Sequence, residues 1–478
     1  MKNIPLALTY DDVLIVPRRS SLKSRSEADT KTKLTKKIIL NSPLVSSNMD
    51  TVTESEMAIA MARMGGIGIL HRFMTIEQNV EEIKKVKRAQ NFIIENPYTI
   101  NENSTIDEAK EFTEQIHITG LIVVDEENHL KGILSRRDFL FANGNNHIVK
   151  EIMTPREKLI VGNINTSFIE AKDIFAKYKI EKLPIVDNED KVIGLITSDD
   201  LKYKIEYPNA SVDKNGRLLV GASVGVHGDY LERAEELVKA GADVIVIDIA
   251  HGHSDIMFEA IKNLREKLGN EVQLIAGNIA TANAAKEMCE AGIDGLKVGI
   301  GPGSICITRL VTGCGVPQLT AIMETSKIAK EYGVPIIADG GIHRSGDLVK
   351  AIGAGADTIM LGSMFSGTLE SPGVIMTKGD KKFKICRGSA SFTVANDRKK
   401  IKQEKKKNSD IVPEGVESIV PFKGSVIDII NQMIGGLKSG MSYTNSHTIE
   451  ELKENVDFIR ITNAGMTESG SHDVQAIT

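Results

Sequence analysis

A repeated alternation of short apolar runs and helical segments is the feature that most constrains the fold of this chain. Each run is almost continuously apolar, which is typical of a strand in a parallel sheet that helices cover on both faces. The runs occupy residues 43–47, 65–71, 218–224, 242–248, 273–278, 295–298, 334–339 and 358–363. Strands in this number, alternating with helices, predict an α/β fold of the (β/α)8 or TIM barrel type.

An internal repeat interrupts this alternation after the second unit. Its two copies, residues 94–151 and 152–208, share the order helix, strand, acidic turn, strand and polar helix start. Each copy of such a repeat leaves an apolar face that needs its partner. We therefore predict a domain inserted between a first barrel part, 1–93, and a second, 209–478, because closure of a longer loop costs little extra free energy.

Composition excludes several classes of function. The 478 residues carry a formal net charge of −5, which gives no general attraction to nucleic acid or to a membrane. The four cysteines show no metal-ligand spacing, and a reducing cytoplasm fits them. We expect no signal peptide and no membrane span, since the chain lacks both a basic start before an apolar run and a long apolar segment.

A glycine-rich loop follows the sixth strand and ends in a cysteine. Glycines stand at 299, 301 and 303, and Cys306 is followed by Thr308 and Arg309. Glycine permits a positive φ and a close approach of the backbone to a ligand, so that N–H groups can hold an anion or carbonyls a cation. A thiol beside a cationic loop can act as a nucleophile, and a small buried cysteine in a turn is the alternative.

Polar residues that follow the strands are expected to converge at one end of the barrel, where this fold carries its active sites. They are Asn48, Asp50, His71, Asp248, Asn278, Cys306, Asp339 and Ser363. Gly340–Gly341 and Gly362–Ser363 end the last two strands, where backbone N–H groups commonly hold phosphate. Tight turns without a ligand are the alternative.

Residues 301–309 (Gly-Pro-Gly-Ser-Ile-Cys-Ile-Thr-Arg) and 312–318 (Thr-Gly-Cys-Gly-Val-Pro-Gln) resemble a known loop. It is the catalytic-cysteine loop shared by inosine-5'-monophosphate (IMP) dehydrogenases and GMP reductases. The resemblance extends from Leu8 to Val474 and does not by itself separate the two enzymes.

For an IMP dehydrogenase, the resemblance implies that Cys306 attacks C2 of the purine of IMP and that hydride passes to NAD. Thr308 would position water or share a proton, and Arg398 would be the base that hydrolyses the thioimidate. Asp248, Gly299, Ile300 and Gly301 would lie near the dinucleotide. The implied substrate-binding residues are Ser304, Asp339, Gly340, Gly341, Gly362, Ser363, Arg387, Gly388 and Glu414.

The resemblance also implies a bound K⁺ ion and a homotetramer. Carbonyls of Gly301, Gly303 and Cys306 would hold the cation. Glu468, Ser469 and Gly470 of a neighbouring subunit would complete its site.

Residues 94–208 resemble a pair of cystathionine-β-synthase (CBS) motifs that form one Bateman module. Such modules commonly bind purine nucleotides. Asp138 and Asp200 would then contact ribose, and capping of a helix N-terminus is the alternative role for each.

Some residues favour the reductase. Residues 386–390 read Cys-Arg-Gly-Ser-Ala where the family usually has Tyr-Arg-Gly-Met-Gly, and no tyrosine follows Arg398. Glu370, with Thr308 and Cys306, would form the Thr-Glu-Cys set of reductases, although dehydrogenases often carry the same acid. The motif at 412–416 and the CBS pair favour the dehydrogenase, which is our prediction. GMP reductase and an inactive nucleotide-sensing regulator remain as alternatives.

Overall fold

The computed structural model describes residues 4–89, 93–95, 97–116, 118, 120–135, 138, 147–391, 394 and 413–470. The chain divides into two compact units. The first comprises residues 1–89, 209–213 and 218–478, and the second comprises 90–208 and 214–217.

The first unit is built on a closed barrel of eight parallel strands. In chain order they are β1 Leu44–Ser46, β2 Ile67–Leu70, β3 Val220–Val224, β4 Val244–Asp248, β5 Gln273–Ile279, β6 Gly295–Val298, β7 Ile336–Asp339 and β8 Thr358–Leu361. Each strand pairs in parallel with the next, and β8 closes on β1. The (β/α)8 prediction is therefore confirmed.

Eight helices follow the strands. They are α1 Ser55–Arg63, α2 Ile76–Arg88, α3 Tyr230–Lys239, α4 Asp255–Leu268, α5 Ala282–Glu290, α6 Gln318–Glu331, α7 Ser345–Gly353 and α8 Val426–Tyr443. Their apolar residues recur every three or four positions and form one buried face of each helix. In α8, for example, Ile430, Met433, Leu437 and Met441 are buried. Among the described residues, no helix is long and apolar enough to cross a membrane.

Both faces of the barrel strands are buried, which explains why the strands have no polar alternation. In β4, Val244 and Val246 belong to the core cluster inside the barrel, and the intervening Ile245 is equally buried. The hairpin of Thr32–Lys33 with Ile39–Leu40 adds Leu34 and Leu40 to the same cluster. The barrel interior is therefore a packed core and not a channel.

The remaining elements of the first unit decorate the barrel. Antiparallel pairing joins Val13–Ile15 to Phe458–Arg460. A three-stranded sheet follows β8 and consists of Met376–Lys378, Lys381–Arg387 and Glu417–Pro421. Short helices cover Tyr10–Asp12, Arg25–Glu27, Thr308–Thr312, Ile449–Asn455 and Asn463–Glu468.

The second unit contains two small sheets. The first is ordered Thr154–Pro155, Leu130–Ser135, Gly120–Val124, Thr99–Asn101, and the second is ordered Lys182–Val186, Val192–Thr197, Ile94–Glu95. Its helices are Ile106–Gln115, Val149–Ile152, Arg156–Lys158, Phe168–Tyr178 and Ser198–Glu206. The order of one helix followed by two antiparallel strands occurs in both halves.

Candidate active site

Side chains from the carboxyl ends of several barrel strands meet in one polar network. At its centre is Lys297 on β6, whose side chain is 3% exposed. Its Nζ lies 2.6 Å from Asp248 Oδ1 and 3.0 Å from Asp339 Oδ2, and it also donates to Asn278 Oδ1. Asn48 donates to the other oxygen of Asp248 at 3.0 Å. The predicted convergence of Asn48, Asp248, Asn278 and Asp339 is thus observed in the structure.

Sequence reasoning missed Lys297, although a lysine inside an apolar strand is an available signal, because lysines are rarely buried without a partner. Burial opposes the charge of its ammonium, but Asp248 and Asp339 outweigh burial and raise the pKa of Lys297. Burial likewise opposes ionisation of Asp248, yet the Lys297 ammonium lowers the pKa of that carboxyl. The network therefore presents Asp248 as an ionised carboxylate, which accepts hydrogen bonds from hydroxyl groups.

The cysteine after β6 begins a second series of contacts. Cys306 Sγ lies 3.2 Å from Thr308 Oγ1, and Thr308 donates its hydroxyl hydrogen to Glu414 Oε2 at 2.7 Å. A threonine hydroxyl has only one hydrogen, so in this arrangement the Cys306 thiol donates to Thr308. The three residues form a path along which a proton can pass from the sulfur to the carboxylate.

Backbone pairing holds Glu414 beside the cysteine loop. Ile307 donates its N–H to the Glu414 carbonyl at 2.9 Å, and Val416 donates to the Ile305 carbonyl at 3.0 Å. Gly388 and Gly415 face each other so closely that a Cβ on either would lie 3.3 Å from the Cα of the other. Glycine at these two positions therefore allows the three backbone segments to approach.

Arg309 fixes the glycine-rich part of the loop. Its Nε donates to the Ile300 carbonyl at 3.0 Å, and its Nη2 donates to the Val316 carbonyl at 2.6 Å. Burial lowers the pKa of the guanidinium, and the nearby Cys306 acts in the opposite direction. At Gly301, where φ is +80°, a Cβ would lie 2.5 Å from Arg309 Cγ. The loop conformation thus requires glycine at 301.

The loops after β6, β7 and β8 lie together at the barrel mouth. A Cβ on Gly340 would lie 3.1 Å from the Gly303 nitrogen, so the loop that carries exposed Ser304 packs against the end of β7. The Lys423 Nζ reaches the loop after β8 and donates to the carbonyl of Ser363 at 2.6 Å. Of the expected phosphate-binding segments, Gly340–Gly341 therefore contacts the cysteine loop, and Ser363 contacts Lys423.

Arg387 has a partner in the structure that the sequence did not indicate. Its side-chain Nε donates to Asp50 Oδ2 at 2.7 Å, and its backbone N–H donates to Thr51 Oγ1 at 3.3 Å. These contacts tie the three-stranded sheet to the loop after β1. The predicted role of Arg387 at the substrate stays a prediction.

A family model described as "IMP dehydrogenase / GMP reductase domain" matches residues 7–472. The chain belongs to the IMP dehydrogenase / GMP reductase family. It is 52% identical to the inosine-5'-monophosphate dehydrogenase of Nitrosopumilus maritimus, with 98% of each chain covered, and 46% identical to the GMP reductase of Leishmania major, with 100% of this chain and 99% of the relative covered. The crystal structure of a Trypanosoma brucei GMP reductase variant in complex with guanosine 5'-monophosphate matches with a TM-score of 0.92 at 47% identity, covering 99% of both chains.

One family-based assignment in the sequence analysis is wrong. Glu370 does not join Thr308, since its two oxygens accept hydrogen bonds from Ser425 Oγ at 2.7 Å and from the Val426 N–H at 2.8 Å. It caps the first turn of α8, while Glu414 occupies the place beside Thr308. Two glutamates were available in the sequence, and only the backbone pairing of the Glu414 segment with the cysteine loop decides between them.

Arg398, the expected base, lies outside the described residues. The residues expected to complete the cation site of a neighbouring subunit, Glu468, Ser469 and Gly470, lie at the end of the helix Asn463–Glu468 and directly after it.

Proposed function

We propose that the chain is an IMP dehydrogenase that oxidises IMP to xanthosine 5'-monophosphate (XMP) with NAD. The observation that carries the proposed covalent chemistry is the hydrogen-bonded series of Cys306, Thr308 and Glu414, a set that dehydrogenases and reductases of this family share. A thiol with a route for losing its proton can become the thiolate, which is the nucleophilic form. Identity of 52% to an IMP dehydrogenase along nearly the whole chain supports this choice of reaction.

In the proposed reaction, Cys306 loses its proton through Thr308 toward Glu414, and the sulfur bonds to C2 of the purine. NAD, when bound, accepts the hydride that leaves C2. The resulting thioimidate is hydrolysed when water adds to C2 and the C–S bond breaks, which restores the thiol and releases XMP. The Thr308–Glu414 pair can take a proton from that water, in addition to the role proposed for Arg398.

Asp248, Gly299, Ile300 and Gly301 are proposed to lie against the dinucleotide. The Asp248 carboxylate suits a ribose hydroxyl, because the Lys297 ammonium keeps it ionised. Gly299 has a φ of +151°, and a Cβ there would lie 2.1 Å from the Asp339 carbonyl oxygen, so the glycine-rich loop lies directly beside Asp339. Asp339, held by Lys297 and Asn278, is proposed to accept the ribose hydroxyls of IMP.

A K⁺ site on the cysteine loop is part of the proposal. In the described part of the chain, the carbonyls of Gly301 and Cys306 accept no backbone hydrogen bond, whereas the Gly303 carbonyl accepts one from Cys306. Free carbonyl oxygens are ligands that suit a hard cation. Glu468, Ser469 and Gly470 of a second copy would complete the site, which makes a homotetramer part of the same proposal.

The inserted unit is proposed to be a CBS pair that binds purine nucleotides. Asp138 accepts hydrogen bonds from the backbone N–H and the Oγ of Ser135 at 2.6 and 2.7 Å. Asp200 accepts one from the backbone N–H of Thr197 at 3.0 Å, and Thr197, like Ser135, lies three residues before the carboxylate. At Asp200 these contacts cap the start of Ser198–Glu206, which is the alternative role of this residue. The order of one helix and two antiparallel strands, which recurs in both halves, is therefore what supports a CBS pair.

GMP reductase is the second candidate. It is favoured by the similarity of this chain to a GMP reductase structure that holds GMP, at a TM-score of 0.92. Residues 386–390 point the same way, because they depart from the usual dehydrogenase motif.

Two assays separate the candidates. We expect the protein to form NADH when it is given IMP, NAD and K⁺, and not to release ammonia from GMP in the presence of NADPH. The opposite result would assign the reductase reaction. Activity in neither assay, with nucleotide binding retained, would support the regulator.

A further inference from the structure

Two cationic side chains that join the three-stranded sheet and its flanks to the barrel loops differ in whether a carboxylate neutralises them. Arg387, for example, forms an ion pair with Asp50. The Lys423 Nζ instead donates to the carbonyls of Ser363 at 2.6 Å and Met364 at 3.1 Å. Within the ranges that the structure describes, no carboxylate forms an ion pair with Lys423. This ammonium is therefore held at the loop by neutral acceptors.

The number of hydrogen-bond donors distinguishes Lys423 from Lys297. A lysine ammonium has three N–H donors. Lys297 uses all three on Asp248, Asn278 and Asp339, and so has none left for a ligand. Lys423 uses two on the described carbonyls, which leaves one.

The surroundings of Lys423 are short of negative charge. The residue as a whole is exposed, but its Nζ end lies against the loop, and burial lowers the pKa of the ammonium, with the Cys386 thiol acting in the opposite direction. An anion beside the Lys423 ammonium would offset the free-energy cost of burying its charge. Phosphate at the adjacent Ser363 would be such an anion.

We propose that Lys423 binds the phosphate of the nucleotide at the loop after β8 and so selects a nucleoside monophosphate over the free nucleoside. This inference rests on the proposed function, which puts the phosphate at Gly340–Gly341 and Gly362–Ser363. A charge-assisted hydrogen bond from an ammonium to a phosphate oxygen is about twice as strong as a neutral one. The two carbonyl contacts hold the ammonium in place beforehand, which reduces the ordering cost of binding.

The main chain fixes Lys423 in the same position. Its N–H donates to the Gly367 carbonyl at 2.9 Å, and the preceding Phe422 donates to the Lys382 carbonyl at 2.9 Å. Lys423 is thus bound both to the loop after β8 and to the three-stranded sheet. This arrangement places a residue 60 positions later in the sequence beside Ser363.

The test compares a nucleotide with its nucleoside. Lys423→Gln removes the charge but keeps an amide donor for a loop carbonyl, Lys423→Arg keeps the charge, and Lys381→Met removes a charge from an exposed position of the same sheet. Dissociation constants of IMP and inosine are measured by competition. We expect Lys423→Gln to raise the dissociation constant of IMP by about 10- to 100-fold, the range for loss of a hydrogen bond to a charged group. The dissociation constant of inosine should not change. Lys423→Arg should recover most of the IMP affinity, and Lys381→Met should change neither constant.

Equal weakening of IMP and inosine by Lys423→Gln would show that Lys423 only anchors the loop, and unchanged binding of both would exclude any role. Either result overturns this inference and leaves the proposed function intact. Wild-type protein that binds neither IMP nor GMP overturns both. If Lys423→Gln does not fold, as judged by circular dichroism, the charge-removing variant Lys423→Met is measured in the same way. Weaker binding of IMP with unchanged binding of inosine supports the inference, and an equal change in both constants, or no change, contradicts it.

Discussion

The single hydroxyl of Thr308 links a sulfur to a carboxylate, and the proposed chemistry depends on this one group. It lies 3.2 Å from Cys306 Sγ and donates to Glu414. At the residue scale, two substitutions separate the role of the hydroxyl from the volume of the side chain. Serine keeps the hydroxyl, and valine keeps the volume.

We expect Thr308→Val to lower kcat by about 100-fold or more, in the range of general acid–base effects, while Thr308→Ser retains most activity. Steady-state rates with IMP and NAD provide the measurement. Equal rates for the two variants would show that the proton does not pass through the hydroxyl.

Lys297 is the residue on which the charge balance of the mouth depends. Removing one member of a buried ion pair leaves uncompensated charge and costs about 3–5 kcal/mol. We therefore expect Lys297→Met to lower the free energy of unfolding of the barrel by that amount, as measured by urea denaturation. The double variant Lys297→Met/Asp248→Asn should recover part of the loss; if it is less stable than the single variant, the loss arises from something other than unpaired charge.

At the scale of the elements, the close contact between the ends of β6 and β7 is set by Gly299. We expect Gly299→Ala to displace the cysteine loop and abolish most activity, because a Cβ would lie 2.1 Å from the Asp339 carbonyl oxygen. Gly373→Ala is the matched control, since Gly373 also has a positive φ but has open space around its Cβ position. Comparable losses in the two variants would assign the effect to backbone strain alone.

The helix Ser198–Glu206 carries a titrating group in its first turn. Burial raises the pKa of Asp200 to about 6, although hydrogen bonds from Thr197 oppose the shift. Since the folded state disfavours the carboxylate, the stability of this unit should fall as pH rises from about 4 to about 6, by about 3 kcal/mol for a shift of two units.

Thermal unfolding at several pH values between 4 and 7 measures this effect. Asp200→Asn should remove the pH-dependent decrease, and Asp173→Asn, at an exposed site on Phe168–Tyr178, should not. An unchanged pH profile in Asp200→Asn would exclude Asp200 as the titrating group.

The sequence predicted the elements better than the contacts between them. The barrel strands followed from apolar runs, since burial on both faces leaves a pattern that is local in the chain. The partners of Lys297 come from three different strands, and the choice of Glu414 over Glu370 depends on pairing between segments more than 100 residues apart. Such contacts depend on tertiary structure and have no local signal.

For the whole molecule, the barrel is closed without any strand from residues 90–208. We expect a variant in which residues 93–208 are replaced by a short Gly-Ser linker to fold and to keep its activity with IMP and NAD. Circular dichroism and the steady-state rate test this, and an unfolded or inactive variant would show that the barrel depends on the inserted residues.

The two chain segments that flank the insertion are fastened within the barrel unit itself. Lys87, near the end of α2, donates to Asp213 at 3.2 Å, to Asp243 at 2.6 Å and to the Leu218 carbonyl at 2.9 Å. The segments on both sides of the insertion are therefore joined to each other by residues outside the inserted unit. The ends of the inserted segment thus start from a fixed point on the barrel, so we expect that another domain with closely spaced termini could replace it without changing the barrel strands.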